Sequence, residues 1–523
     1  MTDVDRPGDL ATVQRRADPI GHHRPPAGRR LGVAAIVGLL AAALTWPLAP
    51  SPPDLGGVST GDAELAGQLG ELLGGAGSGG VAVALVANGG MTTAALGHAD
   101  AAREVPLTSE TPMEIGSVTK PLTGMLLADL VDEGIVGLDQ RPAELLGRDD
   151  PGLGAVTLEQ LATHHSGLPR EATADLTGPV SFLLSGGNLY KAYDVETLIG
   201  AATGHDLAGE HDGAYSNLGF ALLGQSLAAA TGRSYPELLE ARLTGPLGLD
   251  DTMVATRRAE VPEGAAVGWS ANGVRPAPWI GAGVAPAGVG PWSTAEDLGR
   301  LLTALMDGDA PGIGALDRRA DFDEETSIGL GWLWSHTDDG EELVFHDGGT
   351  GGFLTFVALS PSTERGVALI ASTDFLMSPN SLQPVGRALL EGSDTVGESV
   401  VPGLELGGLA WMVVALLVFV APTVRLAVRR RRRRRALDRI DVAGSLLPVL
   451  FGLAAARTFG AWQLLPGPWW TVAVAVGIGS IAACTVGWRT TPTTSGSRPW
   501  IRWTSAGMRA AVATSLLAAL LAP

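Results

Sequence analysis

The chain has 523 residues and a net charge of −19, from 36 Lys and Arg against 55 Asp and Glu. Residues 1–50 carry +2 and residues 402–523 carry +11, which leaves −32 on residues 51–401. An acidic middle argues against nucleic acid as a partner, and a lone cysteine, Cys484, excludes an internal disulfide or a cysteine-based metal site.

Residues 1–30 are polar and hold Pro25-Pro26 and six arginines, among them Arg15, Arg16, Arg24, Arg29 and Arg30, which reads as a disordered cytoplasmic tail. Residues 31–49 are apolar and, as a helix, long enough to cross a hydrocarbon core of roughly 30 Å. They read as a retained transmembrane anchor or as the core of a signal peptide. Pro50 directly after Ala49 favours the anchor, because proline there hinders cleavage. The Pro-rich stretch 47–57 is a linker.

The next expected unit is a domain over residues 58–395. Residues 80–97 read as a hairpin turning at Asn88-Gly89-Gly90. A helix is expected over 117–133, with Leu122, Leu126, Leu127, Leu130 and Val131 as its apolar face and Gly134 as its stop. His164 and His165 are adjacent, a poor spacing for a shared metal, and read as loop packing. Ser293-Thr294-Ala295-Glu296 reads as a capping box opening a helix to about Met306. Strand patterns recur at 328–334, 342–346, 352–360 and 366–372, and a final helix covers about 381–391. Helices mixed with hairpin strands indicate an α+β fold.

From 406 onward four apolar spans follow, at 406–424, 442–465, 469–487 and 505–522. Arg429 to Arg435 form an unbroken run that assigns that loop to the cytoplasm and suits anionic lipid headgroups. The reading is a multi-pass membrane protein with residues 51–401 extracytoplasmic. Tryptophans fall at the expected interfaces: Trp46, Trp411, Trp462, Trp469 and Trp470 outside, Trp488, Trp500 and Trp503 inside. Arg457 lies within its span, as a polar site or a residue facing a neighbouring helix.

The chemistry centres on Lys120. Only Lys120 and Lys191 are lysines in this arginine-rich chain. Arginine stays protonated, whereas a lysine can be made to give up its proton. Ser117 lies three residues earlier, on the same helix face, where a neutral amine would activate its hydroxyl. Ser-x-x-Lys alone is a weak signal.

Its surroundings make it strong. Ser117–Lys120, then Tyr215-Ser216-Asn217, then His346-Asp347-Gly348 occur in that order. Each sits in matching context, including Leu161-Ala162-Thr163-His164-His165-Ser166-Gly167-Leu168-Pro169 and Gly349-Thr350-Gly351-Gly352-Phe353. In these motifs the chain resembles the serine β-lactamase and penicillin-binding-protein superfamily, in its class C branch of β-lactamases, D-alanyl-D-alanine peptidases and esterases. The resemblance covers about 58–395. It implies a β-lactamase/transpeptidase-like domain, an antiparallel sheet flanked by helices with an all-α subdomain and the site at their junction.

The roles it implies are these. Ser117 is the nucleophile, Lys120 the base or proton shuttle, and Tyr215 passes a proton to the leaving group. Asn217 bonds the substrate amide or orients Lys120. His346 and Gly348 line the third wall. The oxyanion hole uses the N–H groups of Ser117 and Gly349. No metal or organic cofactor is implied. Asp347, where many relatives carry Thr, disfavours tight binding of a substrate carboxylate. The expected activity is hydrolysis of an amide, β-lactam or ester of a small molecule or cell-wall peptide. The alternative is a sensor in which an acylated domain signals through the membrane helices.

Overall fold

The computed structural model describes residues 27–49, 55–73, 78–100, 103–171, 187–207, 209, 211–269, 275–337, 340–373, 382–393, 449–450, 452–453, 456–457 and 467–486. The tail 1–26 and the spans read at 406–424 and 505–522 lie outside these residues, as does most of 442–465.

The main sheet is antiparallel throughout and has ten strands. In chain order they are β1 (Ser59–Gly61), β2 (Gly80–Ala87), β3 (Gly90–Asp100) and β4 (Val105–Pro106), then six from the second half. The short strands β5 (Met113–Glu114), β6 (Met253–Val254) and β7 (Pro291–Ser293) form a separate three-stranded sheet. The remaining six are β8 (Ala320–Asp321), β9 (Ser327–Ile328), β10 (Leu333–His336), β11 (Glu342–Gly349), β12 (Leu354–Ser360) and β13 (Arg365–Ala371). The spatial order is β1-β3-β2-β13-β12-β11-β10-β9-β8, with β4 on β3. The N-terminal hairpin therefore joins the C-terminal strands through β2 on β13, with Val83 opposite Leu369.

The period-2 rule divides the core between the two faces. Val81 and Val83 of β2, with Val367 and Leu369 of β13, pack under helix α2 (Ala63–Leu73) and the C-terminal helix over Gln383–Glu391. Ala82, Ala84, Ala368 and Ile370 point the other way, into a larger cluster containing Leu298, Leu301 and Leu302. That second cluster continues into a helical region. Its members are α3 (Thr119–Asp132), α4 (Pro142–Leu146), α5 (Leu158–Ala162), α6 (Val195–Ala202), α7 (Asn217–Thr231) and α8 (Tyr235–Leu239). α7 is buried from Leu218 to Ala228, as a helix surrounded by others must be. The α+β expectation and the two-part layout are thus both found.

Most expected elements are present. The hairpin turns at Asn88-Gly89, whose φ angles of 53° and 71° suit a tight two-residue turn. Two expectations need correction. The strand read over 328–334 is two short strands, β9 and β10, because Gly331 adopts φ 84° and a Cβ there would lie 2.8 Å from Lys120 O. The cap of helix α9 (Ala295–Asp307) is Thr294, which accepts from Asp297 N at 3.0 Å, while Ser293 belongs to β7.

Outside this body, helix α1 (Ala27–Thr45) shows apolar side chains around its circumference; Leu31, Ile36, Leu39 and Leu44 are all exposed. With α10 as the Gln383–Glu391 helix, the last described helix is α11 (Pro468–Thr485). The segments Gly28–Leu48 and Pro468–Thr485 are long and apolar enough to cross a membrane. α1 and α11 pack through small residues: a Cβ on Gly38 would lie 2.5 Å from Ala475 O, and one on Gly479 would lie 2.6 Å from Ala34 O. Arg457 donates to Leu48 O at 2.8 Å, just beyond the end of α1.

Candidate active site

β5 ends at Glu114, the chain turns once as a 3₁₀ helix over Gly116–Val118, and α3 begins at Thr119. Ser117 sits in this turn and Lys120 in the first turn of α3. The three-residue spacing brings Lys120 Nζ within 2.9 Å of Ser117 Oγ. Nζ also donates to Ala287 O at 2.7 Å and lies 4.8 Å from the Tyr215 ring centroid. The lysine is fully buried, and desolvation pushes its pKa down to about 7, against the raising influence of Glu171 and Asp347.

Tyr215 lies at the mouth of α7, and its phenol interacts with Ser117. Burial pushes the phenol's pKa above its usual value, so Tyr215 rests protonated. Ser216 caps α7, accepting from Gly219 N at 2.9 Å, and this anchors the Tyr-x-Asn segment. Asn217 follows, with Nδ2 donating to Glu171 Oε1 at 2.5 Å.

The third wall is the end of β11. His346 is buried, its ring centroid 6.4 Å from that of Tyr215, and Nδ1 lies 2.6 Å from Asp347 O. Burial lowers its pKa to about 4, so the ring is neutral near pH 7. Gly348 and Gly349 press against the serine turn. A Cβ on Gly348 would come within 2.2 Å of Ile115 O and 3.2 Å of Ser117 N. A Cβ on Gly116 would meet Gly349 N at 2.7 Å. This approach sets the Gly349 amide beside the Ser117 turn, and only glycine tolerates it.

All the residues singled out in the sequence thus lie around one point: Ser117, Lys120, Tyr215, Asn217, His346, Gly348 and Gly349. Three further residues belong with them. Glu114 is buried beneath the serine strand, and its Oε1 accepts from Trp279 N at 2.7 Å. Desolvation raises its pKa to about 7, opposed by a hydrogen bond from Thr350 and that from Trp279. Glu171 closes the side facing Asn217.

The third, His164, packs in a loop as expected, and what it packs against is the site. It is buried at φ 62°, its Nδ1 accepts from Ser216 N at 3.1 Å, and its ring lies 4.5 Å from that of Tyr215. Burial holds its pKa well below normal, so the imidazole stays neutral and Nδ1 remains an acceptor. Its place inside a motif context was the available signal. Glu171 carried none, since its importance depends on a contact 46 residues away in sequence.

A serine in contact with a desolvated lysine and a tyrosine, between an antiparallel sheet and a helical region, defines the serine hydrolases that work through an acyl-enzyme. The chain belongs to the Beta-lactamase family, whose sequence model matches residues 65–390. It is 29% identical over 287 residues to the D-alanyl-D-alanine-carboxypeptidase/endopeptidase AmpH of Escherichia coli K12, covering 50% of this chain and 70% of that protein. It is likewise 29% identical over 320 residues to penicillin-binding protein 4 of Amycolatopsis lactamdurans, covering 56% of this chain and 80% of that one. In structure it is similar to a class C β-lactamase from Rhodobacter sphaeroides, with TM-score 0.51 and 21% identity, over 64% of this chain and 98% of that one. That likeness concerns the fold.

Proposed function

We propose that the chain is a membrane-anchored, extracytoplasmic serine hydrolase that forms an acyl-enzyme on Ser117. Its substrate is an amide, β-lactam or ester, of the D-alanyl peptide or ester kind. The reading is carried by one observation: Lys120 Nζ lies 2.9 Å from Ser117 Oγ, in a fully buried setting that pushes its pKa down to about 7.

In the proposed cycle neutral Lys120 takes the Ser117 proton as Oγ bonds to the substrate carbonyl carbon. The N–H groups of Ser117 and Gly349 receive the developing oxyanion; one such donor is typically worth ~10²–10³ in rate. Tyr215, between Lys120 and the leaving group, relays the proton as the bond from carbonyl carbon to leaving group breaks. Water then cleaves the Ser117 ester with the same groups reversed. His346, neutral near pH 7, lines the leaving-group side with Gly348. Asn217 bonds the acyl side.

Anchoring is supported by the exposed apolar side chains of α1 away from α11, such as Leu31, Ile36, Leu39 and Leu44, and by the two helices of membrane-crossing length. The two relatives named as a D-alanyl-D-alanine peptidase and a penicillin-binding protein support a cell-wall peptide or β-lactam as the ligand class.

The test is to incubate the detergent-solubilised chain with a penicillin and read its intact mass over time. Addition of one penicillin mass to the wild type and none to Ser117→Ala is the expected result. An adduct that persists in Ser117→Ala would refute the assignment. A long-lived adduct would favour a peptidase with slow deacylation, and rapid penicillin loss without one a β-lactamase.

A further inference from the structure

The wall formed by Asn217 and Glu171 has a hydrogen-bonding polarity that the hydrolytic steps do not require. Asn217 Nδ2 donates to Glu171 Oε1 at 2.5 Å. A carboxylate only accepts, so this contact fixes the amide with its nitrogen toward Glu171 and its oxygen away. That oxygen, Asn217 Oδ1, is buried and has no hydrogen-bond partner among the described residues. A buried acceptor left unpaired costs free energy until a donor reaches it.

Glu171 is fixed from a second side. Its Oε2 accepts from Tyr190 Oη at 3.3 Å, and burial and the carboxylate itself push that phenol's pKa up, keeping it a donor. Glu171 and Asp347 both act on Lys120 as negative charges. The opposing cation is Arg170, whose guanidinium carbon lies 4.8 Å from the Tyr215 ring centroid. The wall therefore offers the unpartnered Asn217 Oδ1, the remaining lone pairs of Glu171 and the charge of Glu171, with one of the two N–H groups of Asn217 Nδ2 taken by Glu171.

We propose that this wall selects substrates whose acyl portion carries an amino group, held by Asn217 Oδ1 and the remaining lone pairs of Glu171. The proposal rests on Ser117 being the acylated residue and narrows the substrate class of that site.

The test uses two matched pairs on the detergent-solubilised full chain. Benzylpenicillin and ampicillin differ by one amino group on the carbon beside the side-chain amide. Phenylacetylglycyl and phenylglycylglycyl thioesters present the same difference without the β-lactam ring. Acylation rates are read by intact mass at neutral pH. The amino member is expected to react faster by about tenfold or more, the value of one charge-assisted hydrogen bond. Glu171→Gln is expected to bring the ratio close to one, and Glu171→Asp, which keeps the charge, to retain the preference. Equal rates within both pairs, with Ser117 still acylated, would overturn the inference alone. So would a preference that survives Glu171→Gln. Absence of any adduct with all four compounds would instead remove the Ser117 assignment, and the inference with it.

Discussion

Lys120 is fully buried, and its amine meets Ser117 Oγ, Ala287 O and the Tyr215 ring. Its identity was legible because an arginine-rich chain had kept lysine there, and the spacing to Ser117 translated directly into contact. His164 was not legible, because its role depends on a backbone amide 52 residues later. It holds Ser216 N while its ring faces Tyr215, so it acts as a positioning residue for the tyrosine. Asparagine tolerates φ > 0 and can accept the same hydrogen bond. His164→Asn should therefore keep most of the acylation rate, whereas His164→Ala should lose about tenfold or more, on the scale of one lost hydrogen bond. Stopped-flow acylation compares them, and equal rates in Ala and Asn would contradict the role. Glu114 bears on stability. Its folded pKa of about 7 lies above its ordinary 4.5, so the unfolded chain releases this proton first as pH rises. Its contribution to stability then declines from about pH 4.5 to 7 and is flat above. Denaturation midpoints at pH 5 and pH 8 should differ less in Glu114→Gln than in wild type, and an unchanged difference would count against this account.

At the scale of elements, the hairpin, α3 and the β11–β13 strands could be read because periodicity and turn residues agree there. Failures came where a long-range contact decides the backbone. β9 and β10 are separated because Gly331 must pass Lys120 O at close quarters, and Ser293 gave up its capping role to join β7. The decisive element contact is β11 against the serine turn. A methyl at Gly348 would overlap Ile115 O, at 2.2 Å, and push the strand away from Ser117 N. Gly348→Ala should thus displace the Gly349 amide and cut acylation by ~10²–10³, the scale of a lost oxyanion donor. Acylation kinetics check this, and a rate within twofold of wild type would show that the strand does not set the oxyanion site.

For the whole molecule, charge and hydropathy indicated a division into an acidic middle and apolar ends. The class of fold was recoverable because three short motifs occur in order with intervening elements of matching kind. The pairing of α1 with α11 was not, since small residues spaced along two apolar helices carry no directional signal until the helices meet. The proposed placement of residues 51–401 outside the cytoplasm predicts that protease added to intact cells digests that region and leaves the N-terminal tail protected. Immunoblotting with tags at residue 1 and near residue 200 reads this directly. Protection of both tags would contradict the orientation.

The central claim is that a lysine amine, made neutral near pH 7 by burial, activates Ser117. The most direct measurement is the acylation rate of the full chain from pH 5 to 9, for wild type and Lys120→Arg. The neutral amine is the reactive form, so the wild-type rate should be low at pH 5, rise through a midpoint of about 7 and level off above it. Lys120→Arg should remain inactive across the range, because its guanidinium keeps its proton. A wild-type rate independent of pH between 5 and 9, or an arginine variant that acylates normally, would contradict the account.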